Sequence, residues 1–346
     1  MVFGVRGTTL PDGEVRTFVV DGDRLREDTC TELISDGGWI LPGLVDMHTH
    51  PGSEGPSDPF ADEKLRRHLE AHRDAGVLLV RVPGSTVRIP AWAEADPTLP
   101  RIRSAGRWLA PNGCFYPGYG REIGEHELIE AAVEETGASS GWCKIIGDWE
   151  PGEASCSLGV LSAAVAAVHD AGGRVAVHCQ TAEGGRNAVL ADADSIEHGM
   201  HFDLTLLERM AAQGTALVPT FTTFASIAAR ALEREPSTLR DWLLDGWDGM
   251  PAVVRAAHDA GVTVLAGTDC APYGNITTEI DWLRKAGLPP ESAVGAASWT
   301  ARAWLGEPGL ADGAPADLVV YEADPTSSPG VLADPKRIIL GGRVVR

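Results

Sequence analysis

Val168-His-Asp-Ala-Gly-Gly173 runs directly into Arg174-Val-Ala-Val, and this junction nearly recurs at two other places in the chain. Glu70-Ala-His-Arg-Asp-Ala-Gly76 leads into Val77-Leu-Leu-Val, and Ala257-His-Asp-Ala-Gly261 leads into Val262-Thr-Val-Leu. In each case a helical stretch ends on glycine, the residue that most readily takes the left-handed conformation closing a helix. The short apolar run that follows reads as a parallel strand buried on both faces. Working outward from these junctions, strand candidates fall near residues 43–48, 77–83, 103–109, 141–147, 174–179, 194–198, 215–220 and 262–268. Eight such strands alternating with helices predict an α/β fold of the (β/α)8 TIM barrel type. No G-x-G-x-x-G follows an early strand, which counts against an open doubly wound dinucleotide fold.

The two ends of the chain have a different texture. Arg16-Thr-Phe-Val-Val and Gly37-Gly-Trp-Ile-Leu near the start resemble Asp317-Leu-Val-Val-Tyr, Arg337-Ile-Ile-Leu and Arg343-Val-Val near the finish. Neither end has enough strands for a stable sheet alone, so the two are expected to pair. The expected organisation is a small β-sandwich domain from residues 1–42 and 306–346, and a barrel domain over 43–305. At 346 residues and 44% hydrophobic, the chain can bury a core of that size. With 29 Lys+Arg against 49 Asp+Glu, the net charge is −20. A surface that negative repels nucleic acid and anionic membranes, so neither is an expected partner. No run approaches the ~18 apolar residues of a membrane span, and the N-terminal stretch lacks the apolar core of a signal peptide. The six cysteines (Cys30, Cys114, Cys143, Cys156, Cys179, Cys270) form no C-x-x-C pair and read as free thiols in a cytoplasmic protein. A homo-oligomer stays open.

The histidines sort by position. His68, His72, His169 and His258 lie inside helical patterns, the last three in final turns, where the helix dipole favours them. His126 falls at a helix start and is left undecided. His48 and His50 follow the first barrel strand, and residues i and i+2 on a strand share a face, so both imidazoles can reach one ion. His178, His198 and Asp269 each close a separate strand candidate, at the carboxyl ends where barrel active sites are built. Lys144 sits in Trp142-Cys-Lys-Ile-Ile, the most apolar strand candidate. An ammonium buried there loses several kcal/mol of hydration, and burial lowers its pKa toward the neutral, nucleophilic amine.

These residues together resemble the metal signature of the amidohydrolase superfamily. The resemblance is carried by Leu41-Pro-Gly-Leu-Val-Asp-Met-His-Thr-His50, Lys144, His178, His198 and Gly267-Thr-Asp269, with Gly309-Leu-Ala-Asp-Gly-Ala-Pro-Ala-Asp-Leu-Val-Val resembling the return into a β-sandwich. Asp194-Ser-Ile-Glu-His-Gly, Asp74-Ala-Gly-Val and Ala216-Leu-Val-Pro-Thr are similar to the branch of imidazolonepropionase-like proteins and metal-dependent prolidases. The resemblance implies two divalent ions. His48, His50 and Asp269 would hold the more buried one and His178 and His198 the other, with Lys144, carboxylated by carbon dioxide, as the bridging ligand. Zinc is the default for such donors, with manganese, iron and cobalt as alternatives. Asp269 would act as the catalytic proton shuttle. The implied activity is hydrolysis of an amide-type C–N bond, dipeptide-like or N-acyl amino acid substrates ahead of cyclic amides. A mononuclear deaminase of an aminated heterocycle and a metal-free binding protein are the competing readings. Asn112, Tyr116 and His201, on loops after the strands, are the candidate substrate contacts. The stretch Asn112 to Tyr119 departs from the His/Gly-rich loop expected of the prolidase-like branch, and Gly147-Asp-Trp-Glu-Pro-Gly-Glu is unusually acidic.

Overall fold

Strands from both ends of the chain combine in one sheet, and the run between them alternates strand and helix. The computed structural model describes residues 2–346 apart from 29–31, 57 and 112–113, so Cys30 and the candidate Asn112 lie outside the described residues. Along the chain the strands are β1 (Val2–Thr9), β2 (Val15–Asp21), β3 (Arg24–Glu27) and β4 (Leu33–Pro42). They continue with β5 (Leu44–Asp46), β6 (Val77–Val82), β7 (Arg101–Ser104), β8 (Leu109–Pro111) and β9 (Arg121–Ile123). Then follow β10 (Trp142–Ile146), β11 (Arg174–Cys179), β12 (Ser195–His198) and β13 (Ala216–Val218). The chain closes with β14 (Leu318–Tyr321), β15 (Arg337–Leu340) and β16 (Arg343–Val344).

The terminal strands form a seven-stranded sheet in the order β16-β15-β14-β4-β1-β2-β3. Its centre is the antiparallel seam between β4 and β14, where Leu318 faces Pro42 and Tyr321 faces Trp39. Alternation along β1 puts Phe3 and Val5 on the buried side, where they join Phe18, Val20, Ile40, Leu318 and Ile339 in one apolar cluster.

The middle of the chain is mixed α/β, with parallel strands connected through helices. β5-β6-β7 form one parallel sheet, and β9-β8-β10-β11-β12-β13 form another. Backbone hydrogen bonds continue past the ends of these strands on either side. On one side Ala105 N–H donates to Val82 O (3.0 Å) and Ser85 N–H to Gly106 O (3.0 Å). On the other, Leu217 N–H reaches Thr263 O (2.9 Å), Met47 N–H reaches Ala266 O (2.8 Å) and Asp269 N–H reaches His48 O (2.7 Å). The glycines of the three repeated junctions, Gly76, Gly172 and Gly261, all take positive φ just past a helix, as the sequence requires.

The expected elements differ from the observed ones in three places. The strand expected over 103–109 is split into β7 and β8. Gly106 sits there at φ +69°, and a Cβ on it would come within 2.6 Å of the Glu135 carboxylate. That buried carboxylate accepts from Arg107 N–H and from the Arg88, Arg107 and Arg121 guanidinia, so the chain kinks around it. The strand expected over 262–268 holds only one ladder bridge, Leu217 to Val264, because its remaining backbone bonds go alternately to β13, to Ala296 and to the segment after β5. The short β9 had no sequence expectation. Among the described residues no helix is long and apolar enough to cross a membrane, and Cys114, Cys143, Cys156, Cys179 and Cys270 are free thiols.

Candidate metal centre

The carboxyl ends of the parallel strands bring together residues from five separated parts of the sequence. His48 and His50 lie just past β5, Lys144 is the middle residue of β10, His178 is the fifth residue of β11, and His198 ends β12. Asp269 ends the extended segment beside β5. Asp46 fixes the two sides of this junction: its carboxylate accepts from His48 N–H (3.1 Å), Thr268 N–H (3.1 Å) and the Thr268 hydroxyl (2.7 Å).

His48 Nε2 lies 3.0 Å from His50 Nε2, and the two nitrogens are 3.3 and 3.1 Å from Asp269 Oδ1. The other nitrogens decide the tautomers. His48 Nδ1 donates to Glu197 Oε2 (2.6 Å) and His50 Nδ1 donates to Gly84 O (2.8 Å). With Nδ1 as the donor, the neutral form of each ring points an unprotonated Nε2 at the other and at a carboxylate. Three lone pairs converging at about 3 Å repel unless a cation lies between them, and donors ~2.0–2.2 Å from a shared ion have this mutual spacing. The outward Nδ1–H bonds to a carboxylate and a carbonyl are the usual supports of metal-ligating histidines. These residues fit a divalent ion.

The second pair lies alongside. The His178 and His198 rings are 4.5 Å apart between centroids, and His198 is 5.1 Å from His48. His198 Nδ1 is held by Thr220 Oγ1 (2.7 Å), which leaves its Nε2 free for an ion. His178 Nε2 is occupied by the Gln180 amide (2.9 Å), which leaves its Nδ1. Burial pushes His50 down, pushes His198 down to about 3 and takes His178 well below its ordinary value, so these three stay neutral and able to ligate. Burial also acts on His48 and Asp269, but their mutual attraction is stronger: it holds His48 up and Asp269 well below the carboxylate range. His198, Thr220 and Asp269 all take left-handed backbone (φ 73°, 53° and 56°), a conformation that costs a non-glycine residue on the order of 1 kcal/mol.

Lys144 is 1% exposed, and its Nζ has no hydrogen-bond partner. Burial pushes its pKa down to about 8 against the pull of Glu197, with the Arg81 guanidinium adding to the depression. A buried amine with all its hydrogen-bonding capacity unused is left unsatisfied, and a carboxylate added to Nζ would supply it with partners.

Two residues not singled out from the sequence underlie this arrangement. Glu197 and Arg81 are both fully buried, and the Arg81 Nη2 meets the two carboxylate oxygens at 2.7 and 2.8 Å. Arg81 also donates to Met47 O (2.6 Å) and Ser195 Oγ (2.9 Å), and it packs over Trp142. Burial alone would raise the Glu197 pKa, but Arg81, Lys144 and His48 hold it well below the carboxylate range. The signal was available: an arginine inside Val77-Leu-Leu-Val-Arg-Val is as conspicuous as the lysine inside β10.

Above the centre lies a cavity of about 300 Å³. Aromatic rings form much of its wall, with Trp108 against His50 (4.9 Å), Phe115 and Tyr116 each against Trp149 (4.9 Å), and Phe224 against His198 (5.3 Å). Tyr116 is on this wall. His201 is not: its Nε2 bonds to Trp242 O (3.0 Å) and its ring stacks on Trp242. From the acidic loop after β10, Trp149 faces the cavity, while Asp148 turns inward to accept from Gln180 N–H (2.8 Å), Thr181 N–H (2.8 Å) and the Thr181 hydroxyl (2.7 Å). Trp108, Ser53 and Arg230 also line the cavity and had not been marked in the sequence.

A converging His/His/Asp trio at the ends of parallel strands, with a buried lysine and two further histidines beside it, forms a group that could hold a metal ion. The chain belongs to the amidohydrolase family, whose profile matches residues 39–345. It is 38% identical to an uncharacterised protein of Mycobacterium tuberculosis over 355 aligned residues, 98% of this chain and 94% of that protein. In fold it is similar to a Xaa-Pro dipeptidase crystallised with methionine in its active site, at a TM-score of 0.87 and 22% identity over 100% of both chains. It is also similar to the ochratoxinase of Aspergillus niger, at a TM-score of 0.85 and 20% identity, covering 100% of this chain and 95% of that one.

Removing Arg81 would leave Glu197 charged, buried and short of its main partner. Arg81→Met is expected to lower unfolding stability by about 3–5 kcal/mol, measured by urea denaturation of the metal-free chain. A loss below about 1 kcal/mol would show that Glu197 does not depend on this pairing.

Proposed function

We propose that the protein is a binuclear metal-dependent amidohydrolase that cleaves the amide-type C–N bond of a small molecule, with dipeptide-like or N-acyl amino acid substrates favoured. The observation that carries this reading is the convergence of two imidazole Nε2 atoms and a carboxylate oxygen beside a buried lysine with no partner. On this reading the two parallel sheets and the bonds between them are a (β/α)8 barrel over residues 43–305, and the terminal sheet is a β-sandwich domain from 1–42 and 306–346. His48, His50 and Asp269 would hold one divalent ion and His178 and His198 a second, with carboxylated Lys144 as a further ligand and zinc as the first choice of metal. Bound there, the ions supply a more acidic water and polarise the scissile carbonyl.

The chain's own residues do the rest. Asp269 stays ionised through the neutral range, accepts the proton of the attacking water and passes it to the leaving nitrogen. Its backbone bond to His48 O keeps that carboxylate beside the histidines. Glu197 and Gly84 hold the His48 and His50 rings in their ligating tautomers. The aromatic wall keeps bulk water away from the reacting bond and suits a small, partly apolar substrate. The fold shared with a Xaa-Pro dipeptidase supports a dipeptide-like substrate. Free, buried thiols support a cytoplasmic location.

A metal-reconstituted screen over dipeptides, N-acyl amino acids, cyclic amides and aminated heterocycles tests the reading, with amino-group and ammonia release followed in parallel. Amide cleavage is expected. Ammonia release from a heterocycle without cleavage of any amide would make the protein a deaminase.

Lys144→Ala should lose the second metal and nearly all turnover while still folding, as checked by metal analysis and circular dichroism. Two tightly held ions and normal activity in that variant would end the carbamate reading. With its pKa near 8, about a tenth of the Lys144 amines are neutral at pH 7, against roughly one in three thousand for a lysine at 10.5. Bicarbonate-dependent reconstitution of the apo chain should therefore rise between about pH 7 and 8.5, and the bicarbonate effect should vanish in Lys144→Ala.

Asp269→Asn should keep the fold and lose on the order of 10²–10⁴ in kcat, the contribution of a positioned proton carrier. Near-normal kcat across the pH range would assign the base to another group.

A further inference from the structure

The helix Phe221–Leu232 presents one face to the cavity, with Thr223, Phe224, Ser226, Ile227 and Arg230 all on its lining. Phe224, at the inner end of that face, packs against the candidate ligand His198 with ring centroids 5.3 Å apart. Six residues further along, or roughly 9 Å at the helical rise, comes Arg230. Its side chain is exposed, and the guanidinium is folded back along the helix. Nη1 donates to Ser226 Oγ at 2.7 Å, one turn back, which folds the side chain toward the inner end of the cavity. Helical side chains lean toward the N-terminus, so this geometry needs no distortion.

Three further observations make this guanidinium a recognition group rather than a surface ornament. Apart from Lys144 at the floor, Arg230 is the one lysine or arginine lining the cavity among the described residues. In a chain where acidic residues outnumber basic ones by 49 to 29, its partner is a hydroxyl and not a carboxylate. The one acidic side chain on the outer wall, Glu54, is already engaged by Arg67 (3.0 Å) and His68 (3.1 Å). Across the mouth the Tyr116 phenol, raised by burial, also feels the Arg230 charge.

We infer that Arg230 binds a free carboxylate on the substrate and makes the enzyme selective for amides that carry one over their neutral counterparts. This inference rests on the amide-hydrolase reading for its substrate class. The guanidinium keeps N–H groups free beside the one taken by Ser226, and a carboxylate can accept two of them side by side. The aromatic rings flanking the path from Arg230 to the metal centre pack the apolar part of the same molecule. Selectivity then comes from leaving Arg230 unpaired when the substrate end is neutral.

Calorimetric titration of the zinc-loaded full chain with N-acetyl-L-phenylalanine and with its carboxamide measures this without requiring turnover. The acid is expected to bind about 10–100 times more tightly than the carboxamide, the range of one charge-assisted contact. In Arg230→Met that preference should collapse toward unity, and Arg230→Lys should recover part of it. Arg230 is exposed, so its substitution leaves the core intact, and metal content and melting temperature of each variant check the fold. An acid preference that persists in Arg230→Met places the carboxylate on the metals and overturns the inference, as does equal binding or no binding of the acid by the wild type. An Arg230-dependent preference in a chain that hydrolyses no amide would instead leave this site standing and remove the hydrolase reading.

Discussion

The Glu197 carboxylate sits at the point where the fold and the candidate centre meet. It is fully buried, yet it accepts from a guanidinium, an imidazole and the Ser195 hydroxyl at once. Each partner comes from a different strand or strand end: Arg81 from β6, His48 from the segment after β5, Ser195 from two residues earlier on β12 itself. An ionised carboxylate inside a protein is tolerable only with such a full set of partners. The same bonds that satisfy it orient His48, and through His48 they set the spacing to His50 and Asp269. Arg81 extends the tie to Met47 O, one residue before the ligand. Packing alone would let these strands slide by fractions of an ångström, whereas a network of charged bonds at 2.6–2.9 Å fixes them.

Much of this could be read in advance, for identifiable reasons. A glycine closing a helix before an apolar run is a local signal with a steric cause, so the starts of β6 and β11 and of the extended segment from Val262 were legible. His48-Thr-His50 and Lys144 stood out because polar groups at strand ends and inside apolar strands need a purpose. The partners were less legible. Arg81 carries the same kind of signal as Lys144, but its role depends on Glu197, more than a hundred residues away. The kink at Gly106 depends on Glu135 in a following helix, and the weak ladder at 262–268 depends on which neighbours supply its backbone bonds. His201 shows the opposite failure. Its closeness in sequence to His198 suggested a place in the cavity, but a positive φ at His201 and a carbonyl on the helix Thr238–Asp259 turn the ring elsewhere.

The candidate centre also divides its work by depth. At the floor, burial keeps three histidines neutral and Lys144 partly so, which prepares nitrogens to give lone pairs. Higher up, the wall is aromatic and largely without charge, and the sole guanidinium stands near the rim. Polar groups at the floor are rigidly held from behind by Glu197, Gly84, Thr220 and Gln180. That arrangement separates the groups that hold ions from those that recognise a substrate, so one can vary without disturbing the other.

The seam between β4 and β14 has a bearing on how the chain is made. Leu318 pairs with Pro42, some 276 residues away, and until it does the edge of β4 from Trp39 to Pro42 has no neighbour on that side. At about 5–20 residues per second a ribosome takes roughly 14–55 s to cover that interval. Throughout it, an apolar strand edge with Ile40 and Leu41 is open to pairing with any other nascent chain. The seam thus closes only after β14 has been made, and crowded translation exposes this open edge to pairing with neighbouring chains.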